Sequence, residues 1–498
     1  MSESVSRRSV IRVLGAMGAA AITGAGCTGS EKGSPVASSP TTAPAAGKII
    51  SAQPSVTDRP NFVIILTDDQ GYGDLGCFGS QDILTPNIDR MAAEGCRLTD
   101  FYVGAPICTP SRAALMTGCY PQRVGLPQVL GPQSDIGISS DEMTLAQVLK
   151  ARGYATACYG KWHLGHHAPF LPIHHGFDEY FGLPYSNDMW PLHPTTKFPD
   201  LPLIEGDKVV NPKVGPNDQR QLTTWYTDHA VDFIRRNKDR PFFLYVPHNM
   251  PHVPLHVSDK YKGKSARGLY GDVIMEIDWS VGQILRAIAG SGVDQRTFVI
   301  FTSDNGPWLA YGDHAGSAGP LREGKHTTFE GGQRVPCVMR WPGQIPGGRT
   351  VEPLVTSMDI LPTFARLAGA KPPALPIDGV DVWQILSGRD RGRLSRGALF
   401  YYLAWDLQGV RSGRWKLHLP HPYQHIDEPG TGGLPGKTSD PGIALSLFDL
   451  ATDIGERTDI SAAHPELVQR LRDMLAQCRE DLGDGKYPGK NRRPPGKV

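Results

Sequence analysis

The chain has 498 residues, about three times a common single-domain length, so one large domain with a smaller companion is the first expectation. Its 51 Lys and Arg against 50 Asp and Glu leave a formal net charge of +1, which excludes a general electrostatic grip on nucleic acid or an anionic membrane. A mean hydropathy of -0.28 with 40% hydrophobic residues argues against a polytopic membrane protein and leaves ample apolar material for a large core.

Residues 1–27 read as an export signal. Arg7-Arg8 precede a short Gly/Ala-rich apolar stretch, Val13 to Ile22, which resembles a twin-arginine signal and is too short to span a bilayer. Cys27 follows small residues, as at a lipoprotein cleavage site, with Gly24 where such sites carry a branched apolar residue. The alternative is ordinary signal-peptidase cleavage nearby. Residues 28–58 read as a flexible linker. From Thr28 to Gly47, 17 of 20 residues are Gly, Ala, Ser, Thr or Pro, a composition that cannot bury enough surface to fold. As a coil of about 30 residues it spans roughly 30 Å. The expected localisation is exported, periplasmic or at the cell surface, tethered to the membrane only through a lipid at Cys27.

Residues 59–390 carry the grammar of an α/β domain. Asn61–Thr67 and Thr297–Ser303 are continuous apolar runs rich in β-branched residues, and Pro241–Val246 is a third. Such runs suit strands buried on both faces of a parallel sheet. Helical patterns lie between them at Leu84–Glu94, Met143–Arg152, Thr223–Arg236 and Gly271–Ala289. The expected fold is a large, mainly parallel sheet flanked by helices, with ligands bound at the carboxyl ends of its strands. Residues 391–485 read as a small α+β domain. Short strands at Ala398–Trp405, Gly409–Leu419 and Leu445–Leu450 suggest an antiparallel sheet, closed by a helix at Ala463–Leu482. The tail, 486–498, reads as disordered. Apart from Cys27 and Cys108, six cysteines remain, whose pairing the sequence does not reveal; buried free thiols are the other reading.

Two strands end in carboxylates, Asp68-Asp69 and Asp304-Asn305. Either pair alone could be a turn or a helix cap. Together, at the ends of buried strands, they need a cation to offset their repulsion, and an all-oxygen set selects a hard one, Ca²⁺ or Mg²⁺. Between them lies Cys108 to Gly118, C-T-P-S-R-A-A-L-M-T-G. Thr109 can cap a helix there, Pro110 suits its first position and Gly118 can end it. Cys108 would then sit at the positive helix end with Arg112 one turn on, a pocket for an anion.

That string resembles the signature of the type I sulfatases, arylsulfatase A-like members of the alkaline phosphatase superfamily. Asp68-Asp69-Gln70-Gly71-Tyr72-Gly73-Asp74 resembles the family's first metal motif, and Ser303-Asp304-Asn305-Gly306-Pro307 its second. Gly160-Lys161-Trp162-His163-Leu164-Gly165, Pro251-His252-Val253-Pro254, Leu321–Lys325 and the E-G-G-Q-R-V-P run ending at Pro336 match further blocks in order. So does Leu447-Phe448-Asp449-Leu450 with Glu456, and the resemblance runs over Asn61–Asp459, roughly 80% of the chain.

The resemblance implies hydrolysis of an aryl or carbohydrate sulfate ester. Cys108 is expected to be oxidised to formylglycine by a formylglycine-generating enzyme. One hydroxyl of the hydrated aldehyde attacks sulfur and the other expels sulfate. Asp68, Asp69, Asp304 and Asn305, with residue 108, are expected to bind one calcium ion. Arg112 and Lys161 would hold the formylglycine hydroxyls, His163 would act as base, and His252 and Lys325 would bind sulfate and assist the leaving oxygen. His166, His167, His174, His175 and His248 have no comparable support. His314, Trp190 and Trp308 could face substrate, although packing is the commoner fate of the two tryptophans. A phosphodiester or phosphonate monoester hydrolase of the same superfamily is the nearest rival. A catalytically silent surface-binding lipoprotein is the more distant one.

Overall fold

The computed structural model describes residues 59–390, 396–485 and 487–498. The signal, Cys27 and the linker to residue 58 lie outside the described residues. The centre is a ten-stranded sheet. Its strands are β1 (Asn61–Thr67), β2 (Cys96–Leu98), β3 (Ala155–Tyr159), β4 (Glu179–Gly182), β5 (Leu203–Glu205), β6 (Lys208–Asn211), β7 (Phe242–Pro247), β8 (Thr297–Ser303), β9 (Cys337–Arg340) and β10 (Arg349–Val351). They lie in the order β10-β2-β9-β8-β1-β7-β3-β4-β5-β6. The inner five, β8 to β4, are mutually parallel, whereas β9 runs against both β8 and β2, and β5 and β6 close the other edge antiparallel. The expected mainly parallel sheet is thus present, with a parallel centre and antiparallel strands towards its edges.

The apolar run of β1 explains that position. Phe62, Ile64 and Leu66 enter one core, while Val63 and Ile65 enter the other, so both faces are dry. Helices cover the faces, among them α1 (Leu222–Arg236) and α2 (Gly268–Gly290), which pack together on the second core. Each expected helix is present, with bounds shifted by a few residues.

After residue 396 a four-stranded antiparallel sheet follows, β11 (Leu399–Leu403), β12 (Asp406–Ser412), β13 (Trp415–His418) and β14 (Ser446–Asp449). The run Gly409–Leu419, expected as one strand, is divided by a turn between β12 and β13. Helix α3 (Pro465–Leu482) covers this sheet through Leu471, Leu475 and Leu482, which meet Leu407, Val410 and Leu417 in a third core.

The final segment departs from expectation. Gly496–Lys497 pairs antiparallel with Ile136–Gly137, and Arg493 donates to Glu142 and Cys119. Its Pro and Gly content looked like disorder, but the tail fits a surface where a Cβ on Gly125 would meet Pro495 at 2.6 Å. The seven described cysteines are all free. No described helix is long and apolar enough to cross a membrane.

Candidate active site

The polar ends of β1, β7 and β8 converge as the open-sheet rule anticipates. Asp68 and Asp69 follow β1, His248 to His252 follow β7, and Asp304 and Asn305 follow β8. The backbone there departs from ordinary conformations. Asp69 has φ 65°, His163 φ 62°, Glu323 φ 55° and His326 φ 70°. Left-handed backbone at non-glycine residues costs of order 1 kcal/mol each and persists only where the surroundings enforce it. Gly306 and Gly331 bring two of the blocks into contact: a Cβ on Gly306 would lie 1.7 Å from the Gly331 carbonyl oxygen.

Cys108 is the first residue of a ten-residue helix, Cys108–Thr117, which Gly118 ends at φ 69°. Ile107, not Thr109, is its N-cap. The Thr109 hydroxyl is engaged elsewhere, accepting from the Leu130 amide at 3.2 Å. Cys108 Sγ lies 3.4 Å from Asp68 Oδ1 and 3.6 Å from Lys325 Nζ. Burial, then the Asp68 charge, push its thiol well above the ordinary cysteine range against the pull of Lys161 and Lys325. As a neutral thiol it is a poor nucleophile.

The cationic residues bind the carboxylates directly. Arg112 Nε donates to Asp304 Oδ2 at 2.9 Å and Nη1 to the Lys161 carbonyl at 2.7 Å, with Nη2 3.5 Å from Asp68. Lys161 Nζ donates to Asp68 and, at 3.2 Å, to Ser186 Oγ. Lys325 Nζ donates to Asp69 Oδ2 at 2.8 Å and to His252 Nε2 at 3.0 Å. Burial pushes Asp68 upward, but Lys161, His252, Arg112 and Lys325 outweigh it and hold that carboxyl well below its usual range. Asp304 goes the other way, raised by burial and by Asp68 more than Arg112 lowers it. The two carboxyls are pushed in opposite directions because they repel each other inside one buried cluster.

Donor atoms of Asp68, Asp69, Cys108 and His252 lie within 4.8 Å of one another, a grouping able to hold a metal ion. Asn305 Nδ2 donates to Asp69 Oδ1 at 2.7 Å, while its Oδ1 is buried with no hydrogen-bond partner. An orphaned amide oxygen beside three buried carboxylates fits a hard, oxygen-seeking cation. His252 was expected on the sulfate, and its Nε2 is 3.5 Å from Asp69 Oδ2, so it stands at the border of both roles.

The two histidine tautomers follow from their carbonyl partners. His163 Nε2 is 2.7 Å from the Leu130 carbonyl oxygen, so it carries the hydrogen and leaves Nδ1 a free lone pair, buried and unpartnered. Burial, then Lys161 and Arg112, push the ring well below the ordinary histidine range, keeping it neutral. His252 Nδ1 lies 2.5 Å from the Val253 carbonyl oxygen, so Nδ1 is the donor and Nε2 faces Lys325.

Asp68, Asp69, Cys108, Arg112, Lys161, His252, Asp304, Asn305 and Lys325 are joined by these contacts, while His163 is held on the Leu130 carbonyl near enough for Lys161 and Arg112 to act on its ring. His248 instead packs inside, 3.3 Å from Ser280 Oγ, and His175 is buried beside the Pro169 carbonyl. His166 and His167 stack on each other at 4.1 Å. Trp308 holds more than packing contacts: its ring lies 4.2 Å from Lys325 Nζ and 5.5 Å from the His252 ring. The sequence did not single out Ser186 or Leu130, because each enters from a separate loop with no distinctive spacing, nor His326, which directly follows Lys325 and stacks on Trp308.

Comparison with known proteins agrees with this geometry. The Sulfatase family model matches residues 60–370, and that of the C-terminal region of aryl-sulfatase matches residues 394–490. Arylsulfatase A of Bos taurus is 41% identical over 455 residues, 85% of this chain and 89% of its own. The N-acetylgalactosamine-6-sulfatase of Canis lupus familiaris is 39% identical over 461 residues, 86% of this chain and 87% of its own. The PsFucS1 sulfatase from Pseudoalteromonas sp. superposes with a TM-score of 0.76 at 29% identity, over 84% of this chain and 90% of that one.

Proposed function

The chain belongs to the sulfatase family, as a type I member of the alkaline phosphatase superfamily, and from that premise we propose that it cleaves an aryl or carbohydrate sulfate monoester with a formylglycine made from Cys108 and one calcium ion. The observation that carries this is the meeting of Cys108 Sγ with Asp68 and Lys325 at a helix N-terminus, in a cluster that includes Asp69 and an Asn305 amide oxygen without a partner. Formylglycine supplies what the cysteine lacks, a hydrated aldehyde whose one hydroxyl attacks sulfur and whose other hydroxyl later releases sulfate. Calcium, held by Asp68, Asp69, Asp304 and Asn305, would supply positive charge at the sulfate oxygens and settle which carboxylates ionise.

The remaining work belongs to this chain's side chains. Arg112 is fixed by Asp304 and the Lys161 carbonyl, and with Lys161 it orients the hydroxyls of residue 108. Neutral His163 takes a proton at Nδ1, the Leu130 carbonyl holding its tautomer. Lys325 neutralises sulfate charge, and its ammonium, which donates to His252 Nε2, supplies the proton that this nitrogen passes to the leaving oxygen. General acid–base steps of this kind contribute roughly 10²- to 10⁴-fold each. The relatives' names, an arylsulfatase and a sugar sulfatase, support either an arene or a sugar as leaving group.

The N-terminal sequence supports export and anchoring through lipid at Cys27, and the Cys108–Gly118 string supports maturation by a formylglycine-generating enzyme. Mass spectrometry of protein purified from a host with that enzyme tests both ends at once. We expect formylglycine at 108, a lipidated Cys27 as first residue, and faster turnover of an aryl sulfate than of the matched phosphodiester. Unmodified Cys108 in fully active protein, or phosphodiester preference, would contradict the catalytic proposal; an unlipidated N-terminus would contradict only the anchor.

A further inference from the structure

A cavity of about 140 Å³ lies beside the proposed reacting centre, walled by Trp190, Leu192, Val253, Tyr311 and Leu434, with Asp188 at its edge. Val253 directly follows His252. Tyr311 meets Trp308 edge-to-face with ring centroids 4.8 Å apart, and Trp308 in turn touches Lys325 and His252. A continuous wall of side chains therefore runs from the sulfate-binding groups to this cavity. Its size is that of one six-membered ring, since a cavity of roughly 150 Å³ accommodates benzene.

Two features say what kind of ring. Leu192 and Leu434, from loops far apart in sequence, are 64% and 58% exposed at the rim, although large apolar side chains in open water gain by being covered. Asp188 Oδ1 is buried with no hydrogen-bond partner. Its other oxygen is 3.9 Å from His193 Nε2, and His193 Nδ1 already accepts from the amides of Thr195 and Thr196. A buried carboxylate oxygen without a donor is costly until a ligand supplies one.

We propose that this cavity is the leaving-group subsite, and that it selects a single uncharged ring presenting an apolar face and a hydroxyl or amide N–H to Asp188. The inference rests on the sulfate ester reading of the neighbouring centre. The same Asp188 carboxylate disfavours a ring bearing a second sulfate, because two anions would then meet in a poorly solvated cleft.

The test uses the mature enzyme and two aryl esters, 4-nitrocatechol sulfate, which has a hydroxyl beside the ester, and 4-nitrophenyl sulfate, which has none. Asp188→Ala is expected to raise KM for the catechol ester about tenfold and leave the phenyl ester within roughly twofold. Leu434→Ser is expected to raise KM for both, with the Ki of inorganic sulfate unchanged in either variant. Equal shifts of both esters and of the sulfate Ki on Asp188→Ala, or no shift at all, would overturn the subsite while leaving the hydrolase standing. Failure of the wild-type enzyme to turn over either aryl ester would overturn the subsite, and failure on sulfated sugars as well would overturn the hydrolase with it.

Discussion

Five residues after Lys325 stands Glu330, and the two belong to buried charge clusters of contrasting character. Around Lys325 are Asp68, Asp69, Asp304, Arg112 and Lys161. Around Glu330 are Lys416, Glu456, Arg334, Arg411 and Tyr102, which join the large sheet to the small one. In the second cluster each charge is answered. Glu330 accepts from Lys416 at 2.9 Å, Tyr401 at 3.3 Å and Arg334 at 3.3 Å, and also from Tyr102. Lys416 donates to the Thr328 carbonyl at 2.8 Å and lies 2.9 Å from Glu456, which accepts from the Glu330 amide at 2.7 Å. None of these side chains has an unpartnered buried polar atom, whereas Asn305 and His163 in the first cluster each do. Unmet hydrogen-bonding capacity separates a site waiting for ligands from one that holds the architecture together.

The largest effect that would test this contrast is at Lys325. Lys325→Ala is expected to lower kcat/KM on the order of 10²- to 10³-fold, while the variant, measured with calcium added, keeps its melting temperature within a few degrees of the unmutated enzyme. Lys416→Met should do the reverse. Stranding Glu330 and Glu456 costs about 3–5 kcal/mol of stability by denaturant unfolding, yet kcat per folded molecule should fall less than about tenfold. A loss of turnover there matching that of Lys325→Ala would erase the distinction.

The smallest effect concerns His418, buried in the second cluster with Nε2 2.8 Å from Glu456 Oε1. Burial lowers its pKa to about 4, against the upward pull of Glu456. A histidine kept neutral in the fold but free to protonate when unfolded makes stability fall as pH drops from about 6.5 towards 4. The term is at most roughly 3 kcal/mol. His418→Gln should flatten this part of the stability profile; an unchanged slope between pH 6.5 and 4 would show that other groups set it.

The first cluster was far more legible in sequence than the second. Its residues sit in compact blocks at strand ends, where local spacing and the continuous apolar runs of β1 and β8 reveal both scaffold and chemistry. Tyr102, Glu330, Arg411, Lys416 and Glu456 come together only through pairing of β12, β13 and β14 and their docking on the large sheet. Glu330 and Glu456 fall within recognisable blocks, but Arg411 and Lys416 stand alone in their strands and carry no local signal until that docking is seen. Asp188 and Leu434 were silent for the same reason: a cleft wall built from separate loops leaves no periodicity. The helix start at Cys108 was shifted because Thr109 found a better partner in the Leu130 amide than in its own helix.

Val498 donates its amide to the Asp135 carbonyl at 3.1 Å, and three residues on the Ile138 amide donates to the carbonyl of Leu164, the neighbour of His163. Residues 496–498 thus lie against the segment that leads to the proposed base. The surroundings of His163 therefore depend on a pairing between segments far apart in sequence rather than on its own block alone. Removing residues 487–498 would leave a body with every motif present and that seam open.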